Sequence, residues 1–212
     1  MALCASDARA VDVSTQSEFD AAISAGATSI SIVAGQLTLS GAQSFATNTD
    51  LTIATGASLS FATTNPAQFL GSVSGGGTLF VGTDTLIVGG NNSSTAFSGT
   101  INLTHQGYDS PFGAFAKIGS GTFTIDGATI SLGESYVAGG ALAQTSGTTF
   151  VNYLAVGEGV SGTGALNVSG GTITFGTALQ VGDFGGQGTV NQTGGTVKVT
   201  PTCGCLLYTS PS

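Results

Sequence analysis

The chain has 212 residues, of which 35 are glycine and only 7% are charged, and its net charge is −8. Glycine follows no period of three and only 4 residues are proline, which excludes collagen, while 41% hydrophobic residues argue against a disordered chain. Three basic side chains cannot neutralise a row of phosphates, so we expect no nucleic-acid partner, and the composition favours an all-β protein of short strands and tight turns.

The first ten residues, 1–10, end in Ala8-Arg9-Ala10, an A-x-A pattern that is typical of a signal-peptidase site. The basic and apolar regions that normally precede such a site do not stand before it. We therefore expect residues 1–10 to be the remnant of a signal peptide, with Met1 a start inside it. The alternative is an ordinary frayed end.

A short helix is predicted within residues 11–26. Thr15 followed by Glu18 is a capping-box pattern, and Gly26 is a typical end signal. The apolar side chains between these signals recur at helical spacing: Phe19, Ala22 and Ile23. Because a solenoid of strands has an open end with an unpaired edge, we expect this helix to cover that end.

The region 27–202 reads as paired short strands joined at glycine or aspartate, and it becomes regular towards its end. Three similar segments start at one fixed interval: GALAQTSGTTFV from Gly140, GALNVSGGTITF from Gly164 and GTVNQTGGTVKV from Gly188. A fixed period of this length is typical of a solenoid, in which stacked coils bury one continuous core. We therefore predict a parallel β-helix of roughly seven coils over residues 27–202, with the aperiodic stretch His105–Gly113 extruded as a loop.

Alternation of apolar and polar residues places four columns of side chains inside this solenoid. The columns are Leu142, Leu166 and Val190; Thr149, Ile173 and Val197; Val151, Phe175 and Val199; and Val156 with Val181. Glycine pairs such as Gly170-Gly171 fall at the predicted corners, where positive φ angles are needed. Asn167 and Asn191 share an outer column, where they form either an amide ladder or two separate surface residues.

Gly157, Gly159 and Gly162 have the G-x-G-x-x-G spacing of a dinucleotide-binding turn. Such a turn must be followed by a helix and, about 20 residues later, by an acidic residue. Here an alternating strand pattern with more glycine follows, and the spacing is not kept one coil later. We expect a corner of the solenoid and no nucleotide partner.

The last ten residues, 203–212, break every earlier pattern. Cys205–Ser212 resembles the translation of a common transposase sequencing adapter, so this tail is expected to be non-native and the natural protein to continue beyond about Thr202. Cys203 and Cys205 are then no metal or redox site.

The segment GAFAKIGSGTFTIDGATI, Gly113–Ile130, resembles the autotransporter-associated β-strand repeat, which pairs a G-x-L-x-K-x-G strand with a G-T-L-x-L strand. The matching residues are Gly113, Lys117, Gly119, Gly121 and Thr122. The repeated units that begin at Gly140 are similar to passenger repeats of autotransporters and of exosortase-sorted surface proteins, and SEFDAAISAGATSISIVAG resembles the entry cap of right-handed β-helices.

The resemblance implies a right-handed parallel β-helix that is exported as a passenger, on or released from a Gram-negative cell. Family members carry a C-terminal translocator barrel in the outer membrane, which this fragment lacks. Host or neighbouring-cell surface glycans or proteins are the expected partners, and the expected role is structural or adhesive. The alternatives are a carbohydrate-active β-helix enzyme and a sorted surface-matrix protein.

Catalytic, cofactor-binding and metal-binding residues are not predicted, and the chain is not expected to be an enzyme. The basic residues of the body, Lys117 and Lys198, lie about three coils apart by the repeat count. His105 has no second histidine to assist it. The turn aspartates are interpreted as backbone-capping residues: Asp84, Asp126 and Asp183.

Overall fold

The computed structural model of the protein describes residues 10–41, 43–46, 48–62, 67–82, 85–103, 115–182 and 185–200. These residues form one short helix, α1 (Gln16–Ser24), and nineteen strands. The strands are β1 (Val11–Val13), β2 (Ser29–Ile32), β3 (Gln36–Leu39), β4 (Thr49–Ile53), β5 (Ser58–Phe61), β6 (Gln68–Gly75), β7 (Thr78–Phe80), β8 (Leu86–Val88), β9 (Thr95–Phe97), β10 (Thr100–Asn102), β11 (Phe115–Lys117), β12 (Thr122–Ile125), β13 (Thr129–Val137), β14 (Gly139–Gln144), β15 (Thr148–Val156), β16 (Thr163–Val168), β17 (Thr172–Val181), β18 (Gln187–Gln192) and β19 (Thr196–Val199).

Every pairing between these strands is parallel, and the pairings define three stacks. The first sheet contains β1, β2, β4, the second half of β6, β9, β12, β14, β16 and β18. The second sheet contains β3, β5, β7, β10, the first halves of β13, β15 and β17, and β19. The third sheet contains the first half of β6, β8, β11 and the second halves of β13, β15 and β17.

The chain visits the three sheets in turn, so the protein is a parallel β-solenoid of about eight turns, as the repeats predict. Strands β2 and β3 begin the first coil, and β18 and β19 form the eighth. The coil count exceeds the expected seven because several coils are shorter than the interval from Gly140 to Gly164. Ser29 pairs with Asp50 and Thr129 pairs with Thr148, and both pairs are closer together along the chain than that interval.

Apolar side chains fill the space between the three sheets, and the four predicted columns are confirmed by the strand register. One column runs through the second sheet from end to end: Leu37, Leu59, Leu79, Ile101, Ile130, Thr149, Ile173 and Val197. Its aliphatic members are buried except in the last coil. Each coil therefore completes the core of its neighbours, and no coil could bury its inner row alone.

The predicted helix and its caps are confirmed. Thr15 and Glu18 form the capping box, in which the Glu18 carboxylate accepts hydrogen bonds from the backbone amides of Ser14 (2.8 Å) and Thr15 (3.1 Å). These bonds lower the pKa of Glu18, with the Ser14 amide as the largest cause. The buried Phe19 contacts the Phe45 ring edge-on at 6.3 Å between centroids, so the helix covers the first coil.

Strand β1 precedes the helix and pairs with β2, within the range that the sequence assigned to the cap. Its V-D-V alternation buries Val13 and exposes Asp12. The entry cap is therefore a strand followed by a helix. At the other end of the described residues, Val190 and Val199 are 37% and 42% exposed, because no later coil covers them there.

Candidate binding surface

Lys117 has the most unusual environment among the charged residues that the structure describes. Alternation in β11 turns Phe115 and Lys117 inward, and Lys117 is only 1% exposed. Its ammonium donates hydrogen bonds to the carbonyl oxygens of Ile118, Gly119 and Gly139. Gly139 belongs to the next coil, so Lys117 ties two coils together at the corner between the third and first sheets.

Burial lowers the pKa of Lys117 to about 8. The bonds use the three donors of the ammonium, which leaves none of them for a substrate. Ser72, Gly89 and Thr122 surround it and leave no room for a water-sized group beside the ammonium. We interpret Lys117 as an internal cation that satisfies corner carbonyls, and the sequence motif that contains it reflects this structural role.

Replacing Lys117 by methionine is expected to change how stability depends on pH. In the wild type, the folded state releases the proton near pH 8 while the unfolded state keeps it up to about pH 10.4, so stability rises with pH across that window. The free energy of unfolding of wild type minus Lys117→Met should increase by about 1–3 kcal/mol between pH 7.5 and 10.5. Urea titrations of both proteins at the two pH values measure it. A difference that does not vary with pH would contradict the buried position.

The G-x-G-x-x-G segment forms the corner between β15 and β16, as expected, and a strand follows it. Gly157 and Gly159 have φ angles of +73° and +85°, and the Gly162 amide donates to the Gly159 carbonyl at 2.8 Å. A Cβ atom on Gly162 would lie 1.9 Å from the carbonyl oxygen of Glu158. The glycines therefore permit a close crossing of backbone, and they open no phosphate cradle onto a helix.

Polar side chains on the outer faces bond to each other along the solenoid axis. Asn191 donates its Nδ2 hydrogen to Oδ1 of Asn167 at 3.0 Å, which settles that pair in favour of the ladder. Oδ1 of Asp126 accepts hydrogen bonds from the hydroxyls of Thr145 and Ser146, each at 2.9 Å. Asp126 therefore joins neighbouring coils through hydroxyl groups, whereas the sequence suggested backbone capping.

Six outward side chains of the third sheet form a compact group, which we call the tyrosine patch. Strand register arranges them as two columns across the fifth, sixth and seventh coils: Glu134, Tyr153 and Ala178 in one, and Tyr136, Ala155 and Gln180 in the other. The Tyr136 and Tyr153 rings lie 6.4 Å apart at 65° to each other. The small Ala155 is fully buried between Tyr136 of one coil and Gln180 of another.

Hydrogen bonds hold both phenols of the tyrosine patch. The Tyr136 hydroxyl donates to Oε2 of Glu134 at 3.2 Å, and the Tyr153 hydroxyl donates to Oε1 of Gln180. Burial raises the pKa of Tyr136 well above its usual range, and the carboxylates of Glu134 and Glu158 raise it further. Tyr136 therefore stays neutral at every physiological pH and presents a fixed ring and hydroxyl.

Sequence reasoning missed the tyrosine patch because its members do not follow the interval of the regular repeats. Tyr153 pairs with Ala178 at nearly that interval, whereas Glu134 pairs with Tyr153 across a clearly shorter stretch of chain. The usable signal was the pair of alternating stretches ESYV and NYLAV, which place tyrosines on the outward side of successive strands. Tyr136 and Tyr153 are neighbours in space only because the fifth coil is short.

Other residues weighed for chemistry are not brought together. Lys117 lies in the fourth coil and Lys198 in the eighth, further apart than the three coils expected, because the short fifth coil lies between them. His105, Asp84, Asp183, Arg9 and the cysteines lie outside the described residues.

Within the described ranges, no three His, Cys, Asp or Glu side chains are grouped so that they could hold a metal ion. Over the same part of the chain, no helix has the length and apolar character needed to cross a membrane.

Comparisons with known proteins return no match, whether the chain is compared with protein-family models, with curated proteins or with solved structures. The functional argument therefore depends on the residues and contacts described above.

Proposed function

We propose that the chain is the structural or adhesive passenger part of an exported bacterial surface protein, delivered by type V secretion to the outer membrane. Its partners are glycans or proteins on host or neighbouring cells, and a C-terminal β-barrel translocator carries it outward. A passenger of this kind needs an extended rod with a surface that makes contacts, and it needs no catalytic centre.

The observation that carries the proposal is the contrast between a mainly apolar interior, which holds few polar side chains such as Lys117 and Thr149, and two outer rows of short polar or small side chains. An outer row of the second sheet consists of hydroxyl residues in seven successive coils: Ser58, Thr78, Thr100, Thr129, Thr148, Thr172 and Thr196. From the first coil to the eighth, an outer row of the first sheet contains only small or amide side chains: Ser31, Thr52, Ser74, Ala96, Thr124, Ala143, Asn167 and Asn191. Because each coil contacts only its neighbours, such a rod can be extended coil by coil, as a stalk requires.

Surface display tests the proposal. The 212-residue chain, placed between a signal peptide and an outer-membrane β-barrel, is expected to reach the cell surface, where external protease removes it from intact cells. Displaying cells should also bind epithelial or bacterial cell layers better than cells that display the barrel alone. Retention of the fusion inside the cell envelope would contradict the passenger role, and display without added binding would leave only the structural role. Turnover of a polysaccharide by the purified chain would favour the enzyme alternative.

A further inference from the structure

We infer that the tyrosine patch is a binding site for one or two units of an uncharged saccharide. The inference deepens the adhesive part of the proposed function and depends on it, since an adhesin needs a ligand at its surface. The patch brings together aromatic rings, a carboxylate and a carboxamide on neighbouring coils, and each of these groups can contact a sugar.

The two rings supply apolar faces of the size of a sugar ring. Tyrosine is amphipathic, since its ring packs against C–H groups while its hydroxyl stays hydrogen-bonded. Tyr136 and Tyr153 occupy opposite corners of a two-by-two arrangement whose other corners are Glu134 and Ala155. The rings pack edge to face, 6.4 Å apart and at 65° to each other, and Ala155 is fully buried beside Tyr136, so a sugar would contact the outer sides of the rings.

The polar members of the patch can form hydrogen bonds with the hydroxyl groups of a sugar. The Glu134 carboxylate has two oxygens, of which Oε2 bonds to Tyr136, and it can accept further hydrogen bonds from hydroxyl donors. Gln180 accepts from Tyr153 through Oε1, and its Nε2 group can donate to a hydroxyl oxygen. Both polar groups are positioned by a tyrosine hydroxyl, so little conformational freedom is lost when a ligand binds.

Charge decides which saccharides fit. Two carboxylates, Glu134 and Glu158, raise the pKa of the Tyr136 hydroxyl, and no basic side chain belongs to the patch. An acidic sugar would place a like charge beside them with no cation to offset it. The patch therefore favours neutral hexoses or N-acetylhexosamines over sialic or uronic acids.

The size of the patch favours a saccharide over a protein partner. Three coils span roughly 10 Å along the axis and outward residues within a strand are roughly 7 Å apart, so the patch covers on the order of 100–200 Å². A stable protein interface needs about 800 Å² from each partner with an apolar centre. The Tyr136 column continues through Ala116 and Ile87 to Phe69, but this is a single file of side chains, much narrower than such an interface.

Titration of the purified 212-residue chain tests the inference. The probes are neutral hexasaccharides of glucose, mannose, galactose and N-acetylglucosamine, with hyaluronan and polygalacturonate fragments as acidic probes. Binding is measured by calorimetry and by tyrosine fluorescence, which is informative because the chain has 4 Tyr and no Trp. At least one neutral probe should bind with Kd below about 5 mM, and the acidic probes should bind more weakly.

Single substitutions locate the site. Tyr136→Ala and Tyr153→Ala should each weaken binding about tenfold or more, while Tyr153→Phe, which keeps the ring, should weaken it less. Phe69→Ala is the matched control, since Phe69 is 50% exposed in the same outward column as Tyr136 but three coils away. Affinity in that variant should stay within about twofold of the wild type. Circular dichroism confirms that each variant keeps its strands.

Three results would overturn the inference: no neutral probe binds, acidic probes bind more tightly, or the tyrosine variants bind as the wild type does. The display experiment separates this failure from failure of the proposed function. If cells that display Tyr136→Ala adhere as well as cells that display the wild type, the tyrosine patch is not the adhesive site, but the adhesive passenger role stands. Saccharide binding by the purified chain without display on cells would support the tyrosine patch as a binding site and contradict the passenger role.

Discussion

Replacing Phe97 by alanine is expected to destabilise the protein by about 3–5 kcal/mol. Phe97 is fully buried in an inward column of the first sheet, where it pairs with Gly75 of the preceding coil and Ile125 of the next. Gly75 contributes no side chain at its level, and a Cβ atom there would lie 2.1 Å from the carbonyl oxygen of Ile53. The Phe97 ring therefore fills the core space next to Gly75, which has no side chain, and its removal leaves a cavity in the middle of the solenoid.

Urea denaturation followed by far-UV circular dichroism measures this loss of stability. Phe69→Ala is the control, because Phe69 is half exposed and its removal should change the free energy of unfolding by no more than about 0.5 kcal/mol. Equal stability of the two variants would mean that Phe97 does not lie inside the coil stack.

Two glycines of the same corner should respond very differently to substitution by alanine. At Gly162 the added methyl group would lie 1.9 Å from the Glu158 carbonyl oxygen, so the corner must open, at an expected cost of about 2–4 kcal/mol. At Gly159 no atom lies within 4 Å of an added Cβ, although φ is +85°. The cost there is conformational and is expected to be about 1 kcal/mol.

The comparison separates the cost of steric crowding from the cost of backbone strain within a single corner. Thermal and urea unfolding of both variants measure the two costs. Gly162→Ala should unfold first by either method. The opposite order, or two variants of equal stability, would contradict the corner geometry. A nucleotide-binding turn would predict lost ligand affinity with little change in stability, so the result also tests the corner interpretation directly.

The sequence predicted the fold where coil length is constant. From Gly140 onward the fixed interval places Leu142 beside Leu166 and Thr149 beside Ile173, and the strand register has these pairs. In the earlier coils the interval varies: it is short from Thr129 to Thr148 and long from Thr100 to Thr129. A varying interval gives no repeat to align, so the number of coils and the position of Phe97 above Gly75 were not predictable.

The same irregularity limited prediction of the site. Tyr136 and Tyr153 are neighbours only because the coil that leads from Glu134 to Tyr153 is short. Lys117 illustrates a second limit, since lysine is a surface residue by default and alternation alone did not assign it to the interior. Its inward position becomes clear only when the corner carbonyls that accept its hydrogen bonds are seen. Local signals, by contrast, fixed the capping box at Thr15 and Glu18.

The parallel stacking of coils is the central claim, and distances between spin labels along one outer column test it most directly. Ser31, Thr52, Ser74 and Asn191 belong to the same outward row of the first sheet, and the first three are seven, six and five coils from Asn191 respectively. Three double-cysteine variants, each with Asn191→Cys and one other position, are labelled after Cys4, Cys203 and Cys205 are replaced by serine.

Electron–electron double resonance should give backbone separations of about 34, about 29 and about 24 Å for the three pairs, a step of about 4.8 Å per coil. A narrow distance distribution for each pair, with this constant step, is the result that a continuous parallel solenoid requires. Separations that do not fall by about 5 Å from one pair to the next, or that are the same for two pairs, would contradict it.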